Sequence, residues 1–512
     1  MKGNIFLMNK FDIAMSAPRR YLVIFTASIF LFLSSSALGA TYYVNNVTGS
    51  NANDGSSGAP WKEAPGTSNA TSPTSGWVSI SAGSTIIFSA GQTWTKPISI
   101  SSSWYANPSS ESGRITLQSS NPATKAIIDF SGQSNRSFMT INRNYITVRD
   151  FELRNSTSGY SGISITGDYN KILYNYIHDS GDAGSNFYVL ELLDGTDHTE
   201  IAYNEIKNCS YKQISGTVNT SYTNAHHNTI HWEPGFSEMI EHGLVMGGSN
   251  HTLHANIIFN NSSVVPVGYM LKFDDSSSGA SNCHDDKAYN NIIYGAPQSI
   301  GAMDCGGPTL FANNIIYAKN ANGSCASSGC IHGIVIGSGG GGAANNTTVR
   351  NNIIYYVQSQ SGGSHMIYIG TTSGTTITNN MFFHDSAPAV FRVDNSSGLS
   401  MSYMQSTWSG SNGNVFTNNL NVSPGFSGGS HTVSNLPTGF DSTGNPVGSG
   451  LFMLSTSSAI NAGYDLSSYF STDISGSVRP QGSPWDIGSY KFDGTTVTID
   501  KIPQAPIINS IN

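Results

Sequence analysis

Lys272 lies in the segment YMLKFDD with Asp274 and Asp275 just after it, and the loop that follows ends in CHDDK, adding His284, Asp285, Asp286 and Lys287. An amine among carboxylates suggests a definite chemistry. A lysine relieved of its proton by burial or by its neighbours can act as a base, and paired aspartates offer the oxygen ligands that Ca²⁺ takes. Base and cation together are what β-elimination from a uronic acid requires: the base removes the proton at C5, and the cation neutralises the adjacent carboxylate and so acidifies that proton. The expected roles are Lys272 as base, with Asp274, Asp275, Asp285 and Asp286 as Ca²⁺ ligands. Carboxylates near an amine favour its charged form, so the scheme asks metal or substrate geometry to offset them. The plainer alternative is a surface Lys–Asp pair of little energetic weight.

A second cluster precedes this one. His226, His227, His231, Glu233, Glu238, Glu241, His242, His251 and His254 gather six of the 13 histidines into two successive repeats. HHNTIH lacks the HExxH spacing of a helical zinc site. His242 shares a strand-start column with His332 and His365, which points to a structural stack.

The elements that must position these groups come from a repeat. An Asn followed two residues later by an apolar residue recurs at Asn175, Asn204, Asn228, Asn256, Asn291, Asn314, Asn352 and Asn380, and more weakly at Asn419, with gaps of 23 to 39 residues. A floor with variable excess is the mark of a solenoid whose turns share a fixed path and differ in their loops. Three residues before the Asn stand Ile172, Ile201, Ala225, Leu253, Ala288, Phe311, Val349 and Ile377; two after it stand Ile177, Ile206, Ile230, Ile258, Ile293, Ile316, Ile354 and Phe382. Short period-two strands on either side of a corner would stack these columns inside. Asn suits the corner, because it tolerates the left-handed conformation and its amide can bond along a stack of its own kind. No amphipathic run long enough for a helical solenoid occurs. The expected fold is all-β, a right-handed parallel β-helix.

A third strand per coil reads GISIT, VLELL, HGLVM, MLKFD, HGIVI, HMIYI and VFRVD. Its inward positions are apolar pairs such as Leu190 and Leu192 or Leu271 and Phe273, so the residue between each pair faces out: Ser164, Glu191, Val245, Lys272, Val335, Tyr368 and Arg392. A separate aromatic stripe, Phe259, Tyr294, Tyr317, Tyr355 and Phe383, follows the Asn corner. It could stack on sugar rings, but burial under loops is the favoured reading.

The opening TYYVNNVTGSNANDGSSGAPW with AGSTIIFSAGQTW, the repeats, and the closing SSAINAGYDL and SVRPQGSPWDIGSYKF together resemble secreted β-helix proteins of the pectate lyase-like superfamily over about residues 41–493. The resemblance implies a carbohydrate-active protein whose cleft runs over the third-strand sheet. It makes Lys272, Glu191, His242 and Arg392 catalytic candidates and Tyr368 a substrate contact. That superfamily holds lyases, hydrolases, epimerases and proteins without known activity. The leading expectation is a polysaccharide lyase. The alternatives are a glycoside hydrolase using two carboxylates, such as Glu191 with Asp274 or Asp275, and a non-catalytic adhesive rod at the cell surface. EHGLVMGGS resembles the GHG motif of polygalacturonase-type hydrolases, yet QISGTVNTSYTNA has no Asp pair and MLK stands where RIK is expected.

Arg19 and Arg20, the apolar run from Tyr21 to Leu33 and SSSALGA read as a secretory signal over residues 1–40. The run is short for a membrane span, and a secreted, periplasmic or cell-surface location is expected. Residues 41–493 form the expected β-helix domain and 494–512 a tail. Among the five cysteines, Cys283 and Cys305 lie close to one coil apart, while Cys325 and Cys330 share a loop, so two bridges are conceivable. Only 11% of residues are charged and the net charge is −8, with no basic stretch, which speaks against nucleic acid as a partner. The expected partner is a polysaccharide or other glycan met by a monomer.

Overall fold

The computed structural model describes residues 39–494, apart from 72–76, 133–136, 158–160, 182–185, 275–282, 296–297, 304, 320–331, 338–342, 358–364, 371, 386–387 and 430–432. The expected signal segment, the Cys325–Cys330 loop and the tail beyond Gly494 therefore lie outside the described residues, Gly39 and Ala40 excepted.

Each coil gives one strand to each of three sheets, as in Ile163–Ile165, Lys171–Leu173 and Tyr176–His178, followed by Tyr188–Leu192, Glu200–Ala202 and Glu205–Lys207. Among the described residues the sheets hold 12, 13 and 11 strands in that order of visit. Consecutive coils pair in parallel throughout, for example Ile163 with Leu190 and Ile172 with Ile201. The chain is the right-handed parallel β-helix expected from its repeat. The 12-stranded sheet ends in an antiparallel hairpin, Val390–Val393 with Ser396–Ser400. A helical turn that buries Met404 and Trp408 follows it, and Trp408 packs edge-on against Phe416 in the last strand of the 13-stranded sheet. No described helix is long and apolar enough to cross a membrane.

Both apolar columns flanking the repeated Asn are fully buried. The Asn side chains form a continuous interior ladder from Asn175 to Asn419, each Nδ2 donating to the next Oδ1 at 2.9 to 3.1 Å. The same Oδ1 accepts the preceding ladder residue's backbone N–H, as Asn314 Oδ1 does from Asn291 N at 3.0 Å. Corner amides have no strand partner, and a buried N–H left unpaired is costly. The ladder satisfies them. One detail differs from expectation: the left-handed residue is the one before each ladder Asn, namely Tyr174, Tyr203, His227, Ala255, Asn290, Asn313, Asn351, Asn379 and Asn418. The ladder Asn must aim its amide along the axis, so the reversal of direction falls on its neighbour.

That neighbour governs what covers the 11-stranded sheet. In four successive coils it is an Asn that reaches out to the C-terminal segment 424–492: Asn290 donates to Thr472 O at 2.8 Å, Asn313 to Gly488 O at 2.8 Å, Asn351 to Tyr464 O at 2.8 Å and Asn379 to Ala462 O at 3.0 Å. The segment acts as a strap over the aromatic stripe. Phe259 and Tyr294 stack at 4.8 Å, and Tyr294 donates to Pro437 O at 2.9 Å while Tyr317 accepts from Val433 N at 3.1 Å. The stripe is buried under this segment, as the plainer reading held. Cys283 and Cys305 form a disulfide, and Cys209 is buried and free.

Candidate functional site

The outer face of the 12-stranded sheet carries the candidate column, and its register adds Ser99 and Thr140 at one end and Ser215 and Gly301 within it. In order the outward residues are Ser99, Thr140, Ser164, Glu191, Ser215, Val245, Lys272, Gly301, Val335, Tyr368 and Arg392. Ser215 and Gly301 belong to strands Tyr211–Gly216 and Gln298–Met303, which the apolar-pair signature misses. In these strands the inward residues are Ile214 with Gly216 and Ile300 with Ala302, so one of each pair is small. The consequence is a distance. Glu191 and Lys272 are separated by three strand spacings, about 14 Å along the axis, and do not share one reacting centre.

Glu191 stands in an open pocket of about 380 Å³ with Thr140, Ser161, Ser164 and Tyr188 among its walls, and Ser161 Oγ donates to Glu191 Oε2. Among the described residues no second carboxylate lines that pocket. Lys272 is 9% exposed and its Nζ donates to Asp274 Oδ2 at 2.6 Å, leaving the buried Oδ1 of Asp274 without a hydrogen bond. The ammonium also lies 5.5 Å from the Tyr269 ring centre. That ring occupies the space above Gly301, where a Cβ would come within 3.0 Å of its carbons. Arg392 stacks 4.3 Å over Tyr368 and donates to Asp394 O at 2.9 Å.

The strand hidden from the sequence pattern also contributes chemistry. Lys212 lies 5.5 Å from the Tyr188 ring centre and 5.3 Å from that of Tyr211, with Glu241 Oε2 at 3.8 Å. Three cations on one sheet face are thus each set over tyrosine. His242, beside Lys212 in the register, accepts from Tyr269 N at 2.9 Å; burial first, then the nearby Lys272 and Lys212 charges, push its pKa down to about 3. Its ring is thereby held in the neutral form near pH 7. His332 and His365 stack at 5.3 Å further along this side of the sheet, in keeping with a structural column.

The aspartates beyond the strand part company. Asp285, in left-handed conformation, pairs with His284 at 2.8 Å. Asp286 is buried at the start of the 13-stranded sheet, where its Oδ1 accepts from His251 N at 2.8 Å and burial holds its pKa well above the usual carboxylate range. Asp275 lies outside the described residues. Among the described residues no three His, Cys, Asp or Glu side chains are grouped as a metal would need. The upstream histidines belong to outer columns of the other two sheets: His226 stacks on His254 at 4.9 Å and His254 on Tyr289 at 4.9 Å. His231 lies between Glu205 at 3.1 Å and Glu233 at 2.8 Å.

No protein family and no curated protein matches this chain in sequence. Among solved structures it is similar to XylC in complex with xylose, at 12% identity and TM-score 0.43 over 88% of this chain and 98% of that one. A lacto-N-biosidase from Eubacterium ramulus aligns at 12% identity and TM-score 0.48 over 75% of this chain and 67% of that one. A pectate lyase aligns at 14% identity and TM-score 0.40 over 88% and 96%. These likenesses concern the fold alone.

Proposed function

We propose that this protein binds a uronic-acid-containing polysaccharide along the outer face of the 12-stranded sheet and cleaves it by β-elimination at Lys272. The observation that carries the reading is the row of Lys212, Lys272 and Arg392, each over a tyrosine ring. Such a face offers positive charge to carboxylates and aromatic edges to the CH-rich sides of sugar rings. Lys272 and Lys212 are held by Asp274 and Glu241, and the substrate's carboxylates would take over these partners on binding. Lys272 meets the uronate carboxylate and withdraws charge from it, which acidifies the C5 proton; as that proton leaves, the C4–C5 double bond forms, the C4–O4 bond breaks and the departing oxygen takes a proton from water. When the ammonium turns from Asp274 to the substrate, the Asp274 carboxylate is left free to accept the C5 proton. In the alternative division of labour, Lys272 itself is the acceptor. A two-carboxylate hydrolysis is less well supported, since among the described residues the pocket around Glu191 has no second carboxylate.

The test is incubation with polygalacturonate, alginate and neutral glycans, reading unsaturated ends and reducing ends in parallel. Unsaturated ends from a uronate chain that vanish in Lys272→Ala support the proposal. Lys272→Arg separates the two roles: it retains charge and hence measurable turnover if lysine neutralises, and is as inactive as alanine if lysine is the base. Reducing ends without unsaturation would mean hydrolysis, and binding without product an adhesive role.

A further inference from the structure

A second groove lies at the corner between the 13- and 11-stranded sheets, across each coil from the face just described. There the left-handed position of three successive coils holds Tyr174, Tyr203 and His227. Their rings stack at 4.8 and 4.9 Å, and Tyr174 is 40% exposed. Further along the same column stand the asparagines that bind the strap, and the strap's loop at 438–444 ends against the last of these rings. Phe440 lies 5.3 Å from His227, and a Cβ at Gly444 would sit 3.7 Å from the Tyr203 ring. The loop keeps its form because Asp441 Oδ1 accepts from Thr443 N at 2.8 Å and Asn445 N at 3.0 Å.

Between ring column and loop is a groove of about 440 Å³, in the range of small-molecule sites. One wall is aromatic. The floor and rim carry Glu205, Thr229 and Asp441, and no lysine or arginine is among the lining residues. Burial keeps His227 neutral, its pKa pushed down to about 4. A surface of ring edges beside carboxylate and hydroxyl acceptors recognises a polyhydroxylated ring that donates hydrogen bonds. Lys125, whose Nζ donates to Tyr174 O at 2.6 Å, and Arg149, 5.1 Å from the Tyr174 ring centre, stand at one end of the column and offset the two carboxylates, so the groove offers rings and acceptors rather than a net charge.

We infer that this groove binds a neutral sugar unit, giving the protein a second glycan contact separate from the cationic face. The chemistry of the two is complementary: one takes acidic chain, the other uncharged chain, as in a polysaccharide with both kinds of segment.

The experiment is calorimetric titration of the full chain with cellohexaose, xylohexaose and a galactan hexamer. At least one is expected to bind, to remain bound in excess hexagalacturonate, and to weaken about tenfold or more in both Tyr203→Ala and Phe440→Ala. Tyr203→Phe should retain it. The two alanine variants sit on different segments, so Phe440→Ala carries the test if the corner variant fails to fold. Absence of binding by all three at millimolar concentration, displacement by hexagalacturonate, or indifference to Phe440→Ala would overturn the inference.

Discussion

Asn291→Ala should be among the most damaging single substitutions outside the apolar core, and its cost can be worked from the ladder. Asn291 Oδ1 accepts both the backbone N–H and the Nδ2 of Asn256, each at 3.0 Å, and its own Nδ2 donates to Leu253 O and Asn314 Oδ1 at 2.9 Å. Alanine leaves two buried donors of Asn256 without that acceptor. At about 1–3 kcal/mol for each stranded group, the loss is about 2–6 kcal/mol. Asn175, at the ladder's first rung, provides an internal comparison. Its Oδ1 accepts only Phe151 N, at 3.0 Å, so Asn175→Ala strands one donor and should cost about 1–3 kcal/mol. The assay is guanidinium denaturation of both variants, joined to hydrogen exchange at the Asn256 amide, which reads the local event even if the solenoid unfolds in stages. The Asn256 amide should lose most of its protection in Asn291→Ala. An unchanged exchange rate, or an Asn291→Ala cost no greater than that of Asn175→Ala, would refute the claim that the ladder satisfies the corners.

Other consequences are as specific. Replacing Cys283 and Cys305 by alanine opens a loop with a sequence separation of 22 and should cost about 3 kcal/mol by chain-entropy reasoning, measured against the oxidised wild type. Asn313→Gly keeps the left-handed backbone but deletes the bonds to Asp486 O and Gly488 O, so limited proteolysis should cut the strap faster than in wild type. Buried His251 and His242 have folded pKa values of about 4 and about 3, below the unfolded 6.5. Their contribution is therefore complete above pH 6.5 and is lost as pH falls, by about 1.4 kcal/mol per pH unit for each. Asp286 runs the other way, since burial keeps its folded carboxyl protonated and its cost shrinks in acid. Denaturation at pH 7 and pH 5 should show lower stability at pH 5, with a smaller difference in His251→Gln.

Much of the architecture was legible because the β-helix repeats the same requirement at every coil. Ile172 and Ile177 announce two interior columns and Asn175 the corner between them, so the fold class and the outward place of Lys272 follow from alternation alone. The coils of Ile214 and Ile300 were lost because Gly216 and Ala302 fill their inward positions, and a small residue sends no apolar signal. With them went Lys212, Tyr188, Tyr211 and the correct separation of Glu191 from Lys272. Tyr211, which opens its strand as Tyr188 opens the one before it, would have been the available clue to the first of these coils. The aspartates of CHDDK follow Asp274 within the same coil, but Asp286 already opens that coil's strand in the 13-stranded sheet. The strap was legible only in part: the doubled Asn of NNIIY marks the coils it covers, which is clear once Asn313 is seen reaching out to Gly488.

The most direct measurement is a crystal structure of Lys272→Ala soaked with a uronate oligosaccharide. The predicted result is a chain lying across the strands of the 12-stranded sheet, one carboxylate at the vacated Lys272 position near Asp274 and Tyr269, and another toward Arg392. A chain seated on either of the other two sheets, with this face bare, would contradict the account.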